Sequence, residues 1–257
     1  MSQPEFEVRL AQTPEEIAAA QELRYQVFVE ELGSDGPMVD HVNRREIDQF
    51  DPDYDHMLLL DHARGAVNGL PVIGVYRLLR SDQVDKIGKF YTEDEYDLSV
   101  LKNSGRRLLE LGRSCLHAEY RGGAAMYHLW NGLAQYTLEH QIDILFGVAS
   151  FHGTDPQALA EQLSLLHYRH MAPPDLRVRT IEAQYQPLNL LPEDQIDRAR
   201  AVRDIPALIK AYLRLGGYIG DGAFIDHAFN TVDVCLILDT DRMNDRQRAI
   251  YTRGLSA

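Results

Sequence analysis

Residues 142–149 carry apolar side chains on both faces of a β-strand, and this segment constrains the fold more than any other in the chain. A strand of this kind has to be covered on both sides. It therefore belongs at the centre of a sheet with layers packed against each face. A chain of 257 residues can bury a core of the size that such layers need. The segment predicts an α/β fold.

The segments around this strand alternate between helix and strand patterns. A first helix is predicted to begin at Thr13, with Pro14 in its first turn and Glu16 completing a capping box, and to end at Gly33. Strands are predicted at residues 6–10, 57–60, 72–79, 108–116 and 232–238, and later helices at 126–140, 155–167, 194–203 and 205–215. A turn containing Gly and Asn joins the second and third strands. This order describes one domain, 1–257, an α/β sandwich around a mixed sheet with a C-terminal elaboration at about 171–257, where a helical excursion leads to a closing strand.

The composition excludes several classes of protein. The net charge of −13 disfavours nucleic acid as a partner, because phosphates need a basic surface, and it is compatible with a cationic substrate. No apolar run approaches the roughly 18 residues that a membrane span needs, and the first ten residues lack the features of a signal peptide. Cys115 and Cys235 lie inside apolar runs, which indicates buried thiols rather than a disulfide. We therefore expect a cytoplasmic protein.

Two arginines lie on faces that should be apolar. Arg24 falls within the apolar stripe of the first helix, at helical spacing from Ala20 and Phe28. A guanidinium that faces a core needs carboxylate partners; the alternative is that Arg24 extends from the edge of the stripe into solvent. Arg77 lies in the same way on the apolar face of its strand.

Carboxylates follow the first helix in the segment REIDQFDPDYD. Glu46 and Asp48 are two residues apart, so they share a face of an extended chain. With Asp51 they could hold cationic groups or accept a proton from an amine. The alternative is a solvated acidic loop.

Glu110 and Arg113 lie three residues apart in the predicted strand 108–116. A regular strand would direct them to opposite faces, whereas a bulge near Gly112 would bring both to one side. The alternative is a partly exposed strand with a salt bridge. Two arginines facing the core and several carboxylates together indicate a buried ionic network, which is costly unless it is used.

A glycine-rich loop, YRGGAA, precedes the helix predicted at 126–140. The free N–H groups at the start of a helix can bind phosphate, although a tight entry into the helix explains the glycines equally well. His167 and His170 have no Cys or carboxylate at zinc-binding spacing, so no metal site is predicted.

The ordered set of these segments resembles a known family. LRYQVFVEELG, then Glu46, Asp48 and Asp51, then YRLL around Arg77, and then Glu110 with Arg113 resemble the acyl-homoserine lactone synthases, which have the Gcn5-related (GNAT) fold. LELGRSC, LWNGLAQY and LFGVASFHGTDP are closer to the related ornithine–acyl carrier protein N-acyltransferases. The resemblance covers nearly the whole chain. It implies an α/β/α sandwich around a splayed central sheet.

The same resemblance implies transfer of a (3-hydroxy)fatty acyl group from acyl carrier protein to the α-amine of L-ornithine, forming lyso-ornithine lipid. The alternatives are an enzyme like the lactone synthases, which would require S-adenosylmethionine, and a GNAT module that binds acyl carrier protein or lipid without turnover. No cofactor is implied beyond the acyl-phosphopantetheine of the donor. No metal is implied.

The resemblance also assigns roles to individual residues. Glu110 is the expected general base and Asp48 the second choice. Residues expected to bind the amino acid are Arg24, Phe28, Glu46, Asp51, Arg77, Arg113 and Ser150. Residues expected to bind the acyl-pantetheine are Leu116, His117, Arg121, Gly122, Gly123 and Ala124, with a backbone N–H near Leu116 holding the oxyanion.

Two departures from the pattern affect this interpretation. Gly33 and Ser34 stand where the lactone synthases carry a Trp, which argues against a lactone product. Ala124 and Met126 occupy glycine positions of the loop that normally binds the diphosphate of coenzyme A. Added Cβ atoms restrict the approach of phosphate to the backbone. A carrier protein presents a single phosphodiester, so the change favours acyl carrier protein as the donor.

An acidic carrier protein needs a local basic surface on a chain of charge −13. Arg106, Arg107 and Arg121 are expected to provide it near the pantetheine entrance. A second set of basic residues could rest on the anionic inner face of the cytoplasmic membrane, or its helix could pack on the sheet. The set comprises Arg198, Arg200, Arg203, Lys210 and Arg214, with the apolar residues Val202, Ile205, Leu208, Tyr212 and Leu213 beside them.

Overall fold

The computed structural model describes residues 3–64 and 70–252. The turn predicted between the second and third strands lies largely outside the described residues. The strands are β1 (Phe6–Leu10), β2 (Val39–Asp40), β3 (Arg45–Glu46), β4 (Asp55–Asp61), β5 (Val72–Arg80), β6 (Tyr96–Asp97), β7 (Leu108–Leu116), β8 (Ile144–His152), β9 (Arg179–Thr180), β10 (Tyr218–Ile219), β11 (Phe224–Asp226) and β12 (Thr231–Asp239). The α-helices are α1 (Pro14–Arg24), α2 (Ser99–Lys102), α3 (Ala125–Glu139), α4 (Ala160–His170), α5 (Arg198–Asp204), α6 (Ala207–Arg214) and α7 (Asp245–Tyr251).

A mixed sheet of eight strands runs through the molecule in the order β1-β4-β5-β7-β8-β12-β10, with β11 also paired to β12. Every neighbouring pair is antiparallel except β7 and β8, which are parallel. The predicted central segment is β8, which lies between β7 and β12 and is covered on both faces, as its apolar sequence requires. The smaller pairs β2–β3 and β6–β9 lie outside this sheet.

Helices cover both faces of the sheet. On one face, Leu129 and Leu133 of α3 and Ile209 of α6 pack against side chains such as Tyr76 and Leu111. On the other face, α1 packs through Ala20 and Leu23 against Val75 and Cys115. This arrangement confirms the predicted α/β/α sandwich around a mixed sheet. Cys115 and Cys235 are free and buried, as predicted.

The first helix changes geometry within its length. Thr13 caps α1 by accepting a hydrogen bond from the Glu16 N–H. The α-helical part ends at Arg24, and a π-helix continues over Tyr25–Glu31, a geometry that is frequent at functional sites. Gly33, with a φ of 77°, ends the helical segment where the sequence predicted.

Two later helices begin after their predicted starts because side chains form turns there. The Asp155 carboxylate accepts a bond from the Gln157 N–H, and α4 begins only at Ala160. Asp197 caps α5 by accepting from the Arg200 N–H, so that helix begins at Arg198. Within residues 3–64 and 70–252, no helix has the length and apolar character that crossing a membrane requires.

Candidate active site

Strands β7 and β8 separate part of the way along the sheet. They pair only from Leu108 to Glu110 against 144–146, although both strands continue well beyond this point. Gly147 lies where they part, and a Cβ built on it would lie 2.1 Å from the Leu111 carbonyl oxygen. Only glycine fits this close approach. A cavity of about 240 Å³ occupies the region of the splay, lined by both strands.

A bulge in β7 shapes one wall of this cavity. Val75 pairs with Cys115 and Arg77 pairs with Gly112, so β7 carries one residue more than β5 between these pairs. Arg113 lies in this extra stretch with a φ of 51°. The bulge directs Arg113 to the cavity that Glu110 also lines, which confirms the predicted bulge and the common side of the two residues.

Arg24 lies at the centre of a buried ionic network, with no exposed side-chain surface. Its Nε donates to Glu46 Oε2 at 2.5 Å, and its Nη2 donates to the Glu46 carbonyl at 2.7 Å. Its Nη1 and Nη2 donate to the two carboxylate oxygens of Asp51 at 2.8 and 3.0 Å. The alternative of a solvent-directed Arg24 is therefore wrong. The sequence correctly indicated that this guanidinium needs carboxylate partners.

Arg77 and Arg113 join the same network through Asp48. Arg77 Nη1 donates to Asp48 Oδ2 at 2.6 Å and to Asp51 Oδ1 at 2.9 Å. Arg113 donates from Nε to Glu46 Oε1 and from Nη2 to Asp48 Oδ2, each at 3.1 Å. Because the three carboxylates are buried, the alternative of a solvated acidic loop is wrong for them.

The network balances three arginines against three carboxylates. Burial alone would raise the pKa of Asp48 and Asp51. The neighbouring guanidiniums outweigh this effect: Arg77 and Arg113 lower the pKa of Asp48, and Arg24 and Arg77 hold the pKa of Asp51 well below its usual range. Both acids are therefore carboxylates with cationic partners already in place.

Aromatic rings hold the two cavity arginines in place. The guanidinium carbon of Arg77 lies 4.5 Å from the ring centre of Tyr54. That of Arg113 lies 4.7 Å from the ring of Tyr91 and 4.6 Å from the ring of Phe229. Sequence reasoning missed all three aromatic residues, because nothing in their local pattern distinguishes them from core residues.

Glu110 lies in the cavity wall and is 2% exposed. Its Oε2 accepts hydrogen bonds from the Tyr54 hydroxyl and, at 3.0 Å, from the Tyr91 N–H. Its Oε1 accepts from the Thr92 N–H at 2.6 Å. These bonds fix the carboxylate at the polar side of the cavity.

The cavity is polar on one face of the sheet and apolar on the other. Glu110, Arg77 and Arg113 face the polar chamber. Beyond the gap between β7 and β8, the lining becomes apolar under α6, where the residues belong to the large core on that face. This apolar arm, as we define it, is lined by Tyr76, Leu145, Ala149, Leu208, Tyr212, Leu236 and Leu238.

Phe28 and Ser150, which were expected to bind the amino acid, also line the cavity. The residues expected to bind acyl-pantetheine begin with Leu116, the last residue of β7, and continue into the loop that follows it. Arg121 donates from Nε and Nη2 to the Leu116 carbonyl at 3.1 and 3.0 Å and forms an ion pair with Glu31 at 2.6 Å. Its loop runs through 122–124, where Gly122 has a φ of 76°, into the start of α3. His117 contacts Arg64 at 3.2 Å.

The expectation that Arg106, Arg107 and Arg121 form one basic surface is wrong. Arg106 and Arg107 precede β7 at the end where it pairs with β8, whereas Arg121 follows the splayed end. A nine-residue strand separates them by roughly 30 Å at about 3.3 Å per residue. Arg106 is also neutralised by ion pairs with Asp239 and Asp241.

The apolar side of α6 packs on the sheet and is not free to contact lipid. Ile205, Ile209 and Tyr212 are buried in the core, with Leu208 and Leu213 packed beside them. Of the expected apolar set, only Val202 of α5 is largely exposed. The alternative of a helix packed on the sheet with a solvated basic face is therefore confirmed.

The splayed mixed sheet, with a charged chamber opening into an apolar arm, has the architecture expected of the GNAT fold. A model of the family described as "Acetyltransferase (GNAT) domain" matches residues 23–131. The acyl-homoserine lactone synthase LasI superposes with a TM-score of 0.52 at 15% identity, covering 99% of this chain and 98% of that one. FeeM, an N-acyl amino acid synthase from uncultured soil microbes, gives the same TM-score and identity over 93% of both chains.

Relatives of higher identity narrow the class. The L-ornithine N(alpha)-acyltransferase of Rhodobacter capsulatus is 55% identical over 248 residues, covering 96% of this chain and 95% of the relative. The protein of the same name from Brucella abortus is 45% identical over 248 residues, covering 96% of this chain and 88% of the relative. The chain belongs to the L-ornithine N(alpha)-acyltransferase family.

Proposed function

We propose that this chain transfers a fatty acyl group, with or without a 3-hydroxyl, from acyl carrier protein to the α-amine of L-ornithine, forming lyso-ornithine lipid. The observation that carries this proposal is the cavity, which joins a charged chamber suited to an amino acid with an apolar arm suited to an acyl chain. The names of the family members supply the amino acid and the position of acylation.

The acyl donor would lie across the splay. Its chain would fill the apolar arm, and its thioester would lie beside the end of β7. The His117 N–H donates to the Ile73 carbonyl on β5. Because successive N–H groups of an extended strand point to opposite sides, the Leu116 N–H is directed toward β8. We assign to it the stabilisation of the oxyanion.

The amino acid would occupy the charged chamber. Arg113 would bind the α-carboxylate in addition to Glu46 and Asp48, because its guanidinium has five N–H donors, lines the cavity and is held between two rings. The α-nitrogen attacks the thioester carbon, a C–N bond forms, and the oxyanion collapses with cleavage of the C–S bond. The departing sulfur takes up the second proton that the α-nitrogen loses as the amide forms, and it leaves as a thiol.

Glu110 would accept the proton that the α-ammonium loses, directly, through the Tyr54 hydroxyl that donates to it, or through a water. Asp48, the second choice, is a poor proton acceptor: burial works to raise its pKa, but Arg77 and Arg113 outweigh burial and lower it. The network around Arg24 would align Arg77 and Arg113. Glu46 and Asp51 would therefore position these cations and would not contact the substrate.

A carrier protein is the donor that the entrance favours. The start of α3 places Ala124 at the N-cap where a diphosphate-binding loop would carry glycine. Arg64 and Arg121, near the splayed end of β7, would meet the acidic carrier protein. With acyl groups of equal length, acyl carrier protein should give a much higher kcat/KM than coenzyme A. Equal values would contradict this part of the proposal.

We also propose a peripheral contact with anionic membrane, through the exposed basic side chains of 198–214 and Val202. This contact would be electrostatic, because the apolar face of α6 is packed. Binding to phosphatidylglycerol vesicles that is lost in high salt would support it, and binding unaffected by salt would contradict it.

The experiment that tests the main proposal is an assay of the purified chain with acyl carrier protein loaded with a 3-hydroxyacyl group, L-ornithine and no S-adenosylmethionine. Mass spectrometry should detect N-acylornithine, acylated on the α-nitrogen. Product that forms only when S-adenosylmethionine is present would favour the lactone synthase alternative. Tight binding of the carrier protein with no product would favour a binding module.

A further inference from the structure

Three carboxylates outside the arginine network meet at the edge of the polar chamber. Asp233 lies on β12, Asp226 ends β11, and Glu95 lies just before β6. One carboxylate oxygen from each lies within 4.8 Å of those from the other two. Asp226 and Asp233 line the cavity. We call this group the carboxylate triad.

One carboxylate oxygen on each of the two most buried members of the triad lacks a hydrogen-bond partner from the residues that the structure describes. Glu95 and Asp233 are each 3% exposed. Among the described residues, neither Glu95 Oε2 nor Asp233 Oδ1 has a hydrogen-bond partner. A buried carboxylate oxygen without a donor is costly. Such an arrangement points to a ligand that brings donors and positive charge.

The arginine that acts on the triad does not neutralise it. Arg113 acts electrostatically on Glu95 and Asp233, but its guanidinium already bonds to Glu46 and Asp48. Burial, followed by repulsion from the other carboxylates, raises the pKa of Glu95 well above its usual range. Burial and Asp226 raise the pKa of Asp233 to about 6, against hydrogen bonding to Ser150.

Comparison of the triad with the arginine network shows where the chamber carries excess negative charge. That network contains three arginines and three carboxylates, whereas the triad has no cation of its own among its contacts in the described part of the chain. The chamber is therefore positively charged at Arg113 and negatively charged at the triad. Glu110 also lies in its wall. An amino acid with a cationic side chain has charges that match this division.

We propose that Glu95, Asp226 and Asp233 bind the side-chain ammonium of the acceptor and so select a diamino acid over a neutral one of the same shape. This inference rests on the proposed function and goes beyond it by naming the residues that determine specificity. An ammonium has three N–H donors and offers one to each carboxylate. With the α-carboxylate at Arg113 and the side chain directed to the triad, the α-nitrogen faces Glu110 and the splay.

The test compares ornithine with norvaline, which has the same carbon chain and no side-chain ammonium. The wild-type chain should prefer ornithine by roughly 10³-fold or more in kcat/KM, since norvaline leaves the buried carboxylates unpaired. Asp233→Asn and Glu95→Gln should each raise the KM for ornithine roughly 10- to 100-fold while leaving the KM for the acyl donor unchanged. The preference over norvaline should fall by a similar factor. Asp53→Asn, at an exposed carboxylate in the same protein, is the matched control and should change nothing.

The pH dependence of the KM for ornithine distinguishes a role of Asp233 in binding from a purely structural role. The groups that act on Asp233 are Glu95, Asp226, Arg113 and the hydroxyls of Ser150 and Thr231. Only the ionised carboxylate attracts an ammonium, so the KM for ornithine should fall as pH rises through about 6 and then level off. Asp233→Asn should flatten this profile.

Unchanged discrimination against norvaline in both variants would overturn the proposal. So would a metal requirement, seen as loss of wild-type activity in EDTA, recovery with Mg²⁺ or Ca²⁺, and loss of metal binding in Asp233→Asn.

If a variant fails to fold, calorimetric titration of the wild-type chain decides the question: binding of ornithine and not norvaline supports the triad, and equal binding overturns it. A wild-type chain that acylates norvaline and ornithine equally would contradict the triad alone. A chain that acylates neither would contradict the proposed function.

Discussion

Replacing Arg24 by Met tests whether the buried ionic network holds the site together. The substitution keeps most of the side-chain volume but removes four hydrogen bonds, two of them to Asp51 and two to Glu46. It leaves two carboxylates in a site where Arg24 has no exposed surface. Removing one partner of a buried ion pair costs about 3–5 kcal/mol of unfolding free energy. We expect a loss in that range.

Urea denaturation followed by circular dichroism measures this loss. Arg200→Met is the matched control, because Arg200 pairs with Glu161 at 2.5 Å but its side chain is 56% exposed. Such a surface pair contributes about 0–1 kcal/mol. A loss for Arg24→Met no larger than for Arg200→Met would refute the reasoning.

The pH dependence of the same difference gives a second check. Burial works to raise the pKa of Asp51, but Arg24 and Arg77 hold it well below its usual range. A carboxylate whose pKa is lowered on folding contributes stability above its unfolded pKa of about 3.9, and that contribution is lost as the pH falls toward the folded value. The difference between wild type and Arg24→Met should therefore narrow as the pH falls below about 4. A difference that stays constant to pH 2 would contradict this origin.

Three further substitutions test the cavity. Glu110→Gln should lower kcat by about 10²- to 10⁴-fold and also lower the melting temperature, because its amide NH₂ would face an N–H from which the carboxylate now accepts; a wild-type kcat in the folded variant would remove Glu110 from the role of base. Gly147→Ala should destabilise the fold by about 1–3 kcal/mol, because the added Cβ meets the Leu111 carbonyl oxygen; Gly112→Ala, with no atom within 4 Å of the added Cβ, is its control. Arg113→Lys should raise the KM for ornithine and leave the KM for the donor unchanged, because Lys lacks the planar group that pairs with a carboxylate. A KM for ornithine equal to that of the wild type would argue against that pairing.

Much of the fold follows from periodicity that the sequence displays. The bounds of β1 and β7 match the predictions, since each strand has a distinct pattern of apolar residues. Strands of two or three residues, such as β2, β3 and β11, are too short to show a period, and they were not predicted. The starts of α4 and α5 depend on turns formed by single side chains, which periodicity does not reveal.

The candidate site also contains residues that the sequence predicted and residues that it did not. Arg24 and Arg77 could be identified because a charge on an apolar face conflicts with the pattern around it. The bulge at Arg113 followed from a spacing that a regular strand does not accommodate. The carboxylate triad gave no such signal. Glu95, Asp226 and Asp233 come from three separate segments, and only the pairing of β11 with β12 and the folding of 91–97 bring them together.

We propose above all that the chain acylates ornithine on its α-nitrogen in this cavity. The most direct test incubates the purified chain with 3-hydroxyacyl carrier protein and an equimolar mixture of ornithine and norvaline, followed by mass spectrometry with fragmentation of the products. Nα-acylornithine should be the dominant product, and norvaline should compete much better in Asp233→Asn. Acylation on the side-chain nitrogen, or no acyl-amino acid at all, would contradict the account.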